Sequence, residues 1–164
     1  MSRQLDDSDS AVFLMYGLAM REVQWFEICL GGLLEAKTKD LRTPVEERLP
    51  EIERQLRLTP GKVARKLNLP EEILKDLREL VGVRHKLAHV WLLSYGSARE
   101  QEGDAAVTKA LQSLEEQLFV FTRASERLVE LAAASSEEAD AGALAPERAL
   151  SLWRGSEPVI PVQR

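Results

Sequence analysis

The segment SAVFLMYGLAMREVQWFEICLGGLL, residues 10–34, decides the fold of this chain. Its apolar side chains recur at steps of four and three, the spacing of one stripe along an α-helix. The stripe consists of Val12, Tyr16, Ala19, Val23, Phe26, Leu30 and Leu33. No proline interrupts the segment, and Asp9 or Ser10 is a suitable N-cap. The sequence therefore predicts a first long amphipathic helix over about residues 10–40.

Two further long helices are predicted from the same spacing. One follows Asn68 and Pro70 and runs to about Leu93, with a stripe of Ile73, Leu77, Leu80, Arg84, Leu87 and Trp91. The other runs from an N-cap at Asp104 to about Ala134, with a stripe of Val107, Leu111, Leu114, Leu118, Phe121, Leu128 and Ala132 and with Ser125 in one slot. Residues 94–103 have no such period and contain two glycines, so we expect a loop there.

Shorter helical pieces are predicted between the first and the next long helix. Thr43 and Pro44 form an N-cap followed by a proline at the first helical position, and Glu46 completes a capping box. Pro50 then interrupts the pattern, which predicts a broken second helix over 44–56 and a short helix over 61–67. Together these elements predict an all-α, four-helix-bundle-like fold within residues 1–134.

The chain changes character after residue 134, where alanine, serine, glutamate, glycine and proline dominate. This composition predicts a flexible tail over residues 135–164. Within the tail, residues 145–153 are compatible with a short helix, and Trp153 is a candidate to pack on the helical domain.

Composition places the chain among single-domain proteins of the cytoplasm. It has 164 residues, of which 45% are hydrophobic and 5% aromatic, a balance that favours helices. Cys29 is the single cysteine, so no intrachain disulfide can form. Charges interrupt every long apolar stretch, and aspartates stand where a secretory signal would need a positive start. We therefore expect a cytoplasmic protein without a membrane partner.

The charge is unevenly distributed along the chain. The formal net charge is -5, which argues against a protein that coats nucleic acid without selectivity. Residues 54–89, however, carry nine Lys and Arg against four Asp and Glu. We expect a polyanion to bind this middle part, with Lys86, Arg78, Lys66, Arg65 and Trp91 as the candidate RNA-binding residues.

The functional side chains concentrate in Arg84-His85-Lys86-Leu87-Ala88-His89. Arginine carries a permanent charge and a planar set of donors that match phosphate oxygens. Histidine exchanges protons near neutral pH. An arginine that binds a phosphate and a histidine that transfers a proton are sufficient to cleave RNA through its own 2′-hydroxyl, without a metal ion or another cofactor.

Helical geometry bears on how these groups meet. Residues five apart on a regular helix point about 140° away from each other, so Arg84 and His89 of one helix diverge. Either two chains supply the two groups across a two-fold axis, or the helix is distorted at this point. Gly82 fits both arrangements, because it weakens a helix and allows a close backbone approach.

The segment resembles the signature of HEPN domains, which is Arg-x4-His with a polar residue directly after the arginine, late in a long helix of a small α-helical bundle. The resemblance implies a metal-independent endoribonuclease, often a toxin or phage-defence effector, whose site forms across a homodimer. It implies that Arg84 polarises the scissile phosphate, that His89 is the general acid/base, and that His85 orients the phosphate.

The resemblance also implies a partner, an antitoxin or another inhibitory protein. Members that pair with a nucleotidyltransferase antitoxin often have a tyrosine two residues after the histidine, as an acceptor for nucleotide modification. This chain has Trp91 at that position, and Tyr95 is out of register. The type of antitoxin is therefore left open.

The same residues also allow structural, non-catalytic interpretations. Arg84 could form an ion pair with Glu22 or Glu27 on a neighbouring helix. His85 and His89 are four residues apart, a spacing also used by metal ligands, so a metal-dependent helical bundle that uses these two residues is a third hypothesis. No acidic residue lies inside the segment, and the leading interpretation therefore includes no metal site. Cys29 is expected to pack in the core. A non-catalytic helical module that binds a nucleotide, RNA or a protein is the alternative function.

Overall fold

The computed structural model describes residues 7–36, 47, 69–138, 144–155 and 159–160. Within them the chain forms five helices and no strand, which confirms the predicted all-α class. The helices are α1 (Asp7–Ala36), α2 (Glu71–His89), α3 (Trp91–Glu102), α4 (Asp104–Glu137) and α5 (Pro146–Arg154). The predicted pieces over 44–56 and 61–67 lie outside the described residues.

The core lies mainly between α1 and α4, which share the most extensive helix–helix contact. The rings of Phe26 and Phe121 meet here edge to face, with their centroids 5.4 Å apart. The fully buried side chains at the centre of the core are Val12, Ala19, Phe26, Leu30, Leu33, Ile73, Leu77, Leu80, Leu114, Phe121, Leu128 and Leu131. All of these except Leu131 belong to the three predicted stripes, and Ala124, which is equally buried, also lies outside them. Each large apolar side chain stabilises the fold by about 1.5–3 kcal/mol through removal from water.

Ion pairs and hydrogen bonds give the relative directions of the helices. Arg99 binds both Asp9 near the start of α1 and Asp104 at the start of α4. Further along, Thr122 of α4 donates to Glu22 of α1 at 3.3 Å. α1 and α4 therefore run parallel. The α2–α3 segment runs antiparallel to both, since its end lies beside their beginnings.

The third predicted helix differs from the structure at its end. α2 ends at His89, Val90 forms a turn, and α3 continues through residues predicted to be a loop. The prediction of a loop over 94–103 is therefore wrong. α3 is held by contacts with α1 rather than by an amphipathic pattern. The Tyr16 ring stacks on Trp91 with centroids 5.0 Å apart, and the Tyr95 hydroxyl donates to Asp9.

Two predicted helix starts are also corrected. α1 already includes Asp7, so Asp9 and Ser10 lie inside the helix rather than at its N-cap. The Asp9 carboxylate instead accepts hydrogen bonds from Tyr95 and Arg99. At the α3–α4 corner, Gly103 occupies the cap position with φ 60°, and Asp104 is the first helical residue. A left-handed φ favours glycine, which explains so tight a corner.

α5 confirms the short helix expected within residues 145–153. Trp153 is buried and its indole N–H donates to Asp76 of α2 at 2.9 Å. Arg154 pairs with Glu72, also on α2, and Arg148 pairs with Glu138. This helix therefore packs on α2 and α4. The flexibility expected of residues 135–164 stays a prediction. Among the described residues, no helix is both long and apolar enough to cross a bilayer.

Candidate functional site

The Arg84–His89 segment occupies the last turns of α2. The charges of this helix follow its macrodipole, with Glu71 and Glu72 in the first turn and Lys86 and His89 in the last. Negative charge near the N-terminus and positive charge near the C-terminus both stabilise a helix. The acidic residues of α2 all precede Gly82, so its final turns present only basic and neutral side chains.

Arg84 points towards α1 and forms an ion pair with Glu27. The Arg84 Nε lies 2.7 Å from Glu27 Oε1, and the two side chains are 29% and 22% exposed. Of the two partners considered from sequence, Glu27 is the one observed, whereas Glu22 binds Arg21 and Thr122. Among the described residues, this pair engages one of the five N–H donors of the guanidinium.

His85 and His89 point away from the core. Both are exposed, and their ring centroids lie 4.8 Å apart with the ring planes inclined by 54°. Their position one turn apart on the outward face explains this proximity. The two imidazoles can therefore act on the same ligand or substrate group.

Arg84 and His89 diverge, as a regular helix requires. α2 is a continuous helix from Glu71 to His89. The alternative that a distorted helix brings Arg84 and His89 together is therefore wrong. The break comes later, at Val90. Around Gly82, no described atom lies within 4 Å of the place where a Cβ would stand. Within one chain, α2 therefore does not bring Arg84 and His89 to the same point.

The candidate RNA-binding residues fall into three groups. Lys86 and Arg78 are exposed on the same outward face as the histidines, and Arg78 is paired with Glu71 at 2.7 Å. Trp91 is half-buried. Arg65 and Lys66 lie outside the described residues. The structure therefore brings Lys86 and Arg78 beside the motif, in a row that a backbone of phosphates could follow.

Trp91 contacts the protein through its ring. Tyr16 stacks on it with centroids 5.0 Å apart, and Tyr95 stacks on it as well. The Tyr16 hydroxyl donates to the Leu87 carbonyl at 3.2 Å, which ties α1 to the motif itself. Tyr16 was recognised from sequence only as a core residue. Its second role has no signal in the periodicity, since it depends on where α2 crosses α1.

Apolar side chains are exposed directly after the motif. Val90 is 46% exposed, Leu92 45% and Leu93 77%. Exposed large apolar residues that adjoin one another often mark a protein–protein contact. They lie next to the histidines, at the turn between α2 and α3.

Cys29 is packed in the core, as expected. It is 7% exposed, and burial raises the pKa of its thiol to about 11, against the opposing effect of a hydrogen bond with Ser125. The thiol is therefore neutral at physiological pH and is not a nucleophile.

The chemistry available at the end of α2 is that of an oriented cation and two exposed proton-transfer groups. Within the described ranges, no group of three or more His, Cys, Asp or Glu side chains is arranged to hold a metal ion. Comparison of the chain with known protein families, with curated proteins and with solved structures gives no match.

Proposed function

We propose that this protein is a metal-independent endoribonuclease that acts as a homodimer, as a toxin or defence effector restrained by an inhibitory partner. Arg84 of one chain binds the scissile phosphate, and His89 of the other chain transfers the proton. His85 orients the phosphate. The 2′-hydroxyl of the RNA is the nucleophile, so the products are a 2′,3′-cyclic phosphate and a 5′-hydroxyl.

The observation that carries this proposal is that Arg84 and the two histidines lie on different sides of α2. Arg84 is held on one side by Glu27, 2.7 Å away, whereas His85 and His89 are exposed on the other. A half-buried arginine oriented by a carboxylate is prepared to stabilise the charge that develops on a phosphorane. An exposed histidine has access to the attacking or the leaving oxygen.

Two further features of the same surface support the proposed homodimer. Arg84 and His89 point about 140° apart on a continuous helix, so one chain supplies only one of them to a given phosphate. Gly82 is open to close approach, and Val90 and Leu93 are exposed beside the motif. A second copy about a two-fold axis covers these residues and completes the site.

The test is RNA cleavage by the purified protein in EDTA. His89→Ala is expected to reduce the rate by about 10²–10⁴-fold, the usual contribution of a general acid/base. Arg148→Ala is the matched control, because it removes an exposed, ion-paired arginine on α5. Unchanged cleavage by His89→Ala, or no cleavage by the wild-type protein, contradicts the proposal.

One observation favours the alternative of a non-catalytic module. Glu27 neutralises Arg84 within the chain, as in a purely structural ion pair. In that case the α2 surface binds a nucleotide, RNA or a protein without chemistry. RNA binding that is unchanged in His89→Ala, with no cleavage by either protein, identifies this function.

A further inference from the structure

The histidine pair of α2 has the geometry of a chelate. His85 and His89 are separated by one helical turn, and their ring centroids lie 4.8 Å apart. Two histidines at this spacing on one helix face are a recurrent pair of zinc ligands. A Zn²⁺ ion binds each imidazole nitrogen at about 2.0–2.1 Å, so one ion fits between rings this close.

The surroundings of the pair leave it open to an ion. Both imidazoles are exposed, and no carboxylate lies on α2 between Gly82 and His89. Of the two permanent positive charges in the motif, Arg84 is turned towards Glu27 on α1, and Lys86 is exposed between the two histidines. An approaching cation meets two imidazole nitrogen ligands, and neither imidazole is already held by an acidic neighbour on its own helix.

We propose that His85 and His89 form a binding site for a transition-metal ion of the zinc class, and that the bound ion inhibits the endoribonuclease. Imidazole suits Zn²⁺, Cu²⁺ and Ni²⁺ rather than Mg²⁺, which prefers oxygen ligands. Two imidazoles fill two of the four positions of a tetrahedral ion, and water fills the others. Binding is reversible, because half of the coordination shell is exchangeable.

The inhibition rests on the proposed function, whereas the binding does not. Only a deprotonated histidine nitrogen binds a metal ion, and it does so through its lone pair. A general base accepts a proton through the same lone pair. Metal binding and proton transfer at His89 are therefore mutually exclusive. The ribonuclease is fully active in a chelator and is switched off when the ion occupies the pair.

Calorimetric titration of the apo protein with Zn²⁺ tests the binding. We expect one ion per chain for the wild type. Each single variant, His85→Ala or His89→Ala, should bind at least ~10-fold more weakly, the loss usual even for an outer-shell partner of a metal ligand. Mg²⁺ should give no heat at the same site. Both substituted residues are exposed, so circular dichroism should show unchanged helix content.

Lys75→Ala is the matched control for the binding, since it changes an exposed residue elsewhere on α2 and leaves Lys86 and both imidazoles in place. It should bind Zn²⁺ as the wild type does. Equal Zn²⁺ affinity of the wild type and the double variant His85→Ala/His89→Ala overturns the inference.

RNA cleavage measured in parallel separates this inference from the proposed function. Loss of cleavage on addition of Zn²⁺, with recovery in EDTA, supports the inhibitory role. Zn²⁺ binding by a protein that cleaves no RNA under any condition refutes the ribonuclease and its inhibition but leaves the metal site. Cleavage that persists when the site is saturated with Zn²⁺ refutes the inhibition alone.

Discussion

Arg84 and Arg99 both connect α1 to the α2–α3 segment, but their surroundings differ. Arg99 binds two carboxylates, Asp9 at 3.1 Å and Asp104 at 2.7 Å, and the hydrogen bond with Asp104 raises its pKa. Arg84 binds one carboxylate, Glu27, and lies one residue from the exposed histidine pair. Arg99 and its two carboxylates form a net negative cluster that joins the ends of three helices, whereas the Arg84–Glu27 pair is neutral, so an anion can approach Arg84 more easily than Arg99.

Replacing each arginine with alanine gives the largest expected contrast. Arg84→Ala should lower RNA cleavage by about 10²–10³-fold, the effect of removing one donor that stabilises developing negative charge. Arg99→Ala should lower the thermal midpoint but leave cleavage by the folded protein near the wild-type rate. The measurements are initial cleavage rates below the midpoint of each variant and thermal unfolding by circular dichroism. Equal losses of cleavage in the two variants would contradict the distinction between a catalytic Arg84 and a structural Arg99.

Glu27 tests whether the single carboxylate positions Arg84. Glu27→Ala should lower kcat by up to ~10²-fold, the effect of a small misplacement of a catalytic group. KM should rise little or fall, because removal of a carboxylate makes the surface more attractive to RNA. Glu27→Gln keeps an acceptor for the Arg84 N–H and should restore part of kcat. A purely structural Glu27 would instead change stability and leave the kcat of the folded enzyme unaltered.

Tyr95 tests the other half of the comparison. Tyr95→Phe removes the hydroxyl that donates to Asp9 and keeps the ring that stacks on Trp91. We expect a loss of about 1.5–3 kcal/mol in the free energy of unfolding, the range for hydrogen bonds to charged groups. Cleavage per folded molecule should not change. Urea denaturation measures the stability, and a loss of cleavage without a loss of stability would assign Tyr95 to the site.

The smallest expected effect concerns Cys29, which lies in the core rather than at either arginine. Burial raises the pKa of its thiol from 9.0 to about 11, so the folded state disfavours the thiolate. The contribution of the neutral thiol to stability is complete below pH 9 and decreases as the pH rises towards 11. The stability difference between the wild type and Cys29→Ala should therefore shrink over this interval in urea denaturation. A stability difference between the two proteins that does not change with pH would contradict the raised pKa of the Cys29 thiol.

The parts of the fold that sequence predicts are those with a strong helical period. The stripes of α1, α2 and α4 are buried at most predicted positions, and the remaining ones are half-buried: Tyr16, Arg84, Trp91, Leu111, Leu118 and Ala132. α3 was not predictable, because its helix depends on aromatic stacking and on Arg99 rather than on its own pattern. The parallel packing of α1 against α4 could not be predicted either, because periodicity identifies the buried face of a helix but not the helix that packs against it.

The candidate site was predictable in its residues but not in its geometry. The motif itself identifies Arg84, His85 and His89, and the charge pattern adds Lys86 and Arg78. Sequence left Glu22 and Glu27 as equivalent partners of Arg84, and the crossing of α1 over α2 selects Glu27. The stacking of Trp91 on Tyr16 likewise depends on that crossing.

A mixed dimer tests the central claim most directly. Chains carrying Arg84→Ala and chains carrying His89→Ala, with different affinity tags, are co-expressed, and the dimer with both tags is purified. If one site takes Arg84 from one chain and His89 from the other, this dimer has one intact site of two. It should cleave RNA at about half the wild-type rate, whereas either variant alone is nearly inactive. A mixed dimer as inactive as the separate variants would show that the site does not combine two chains.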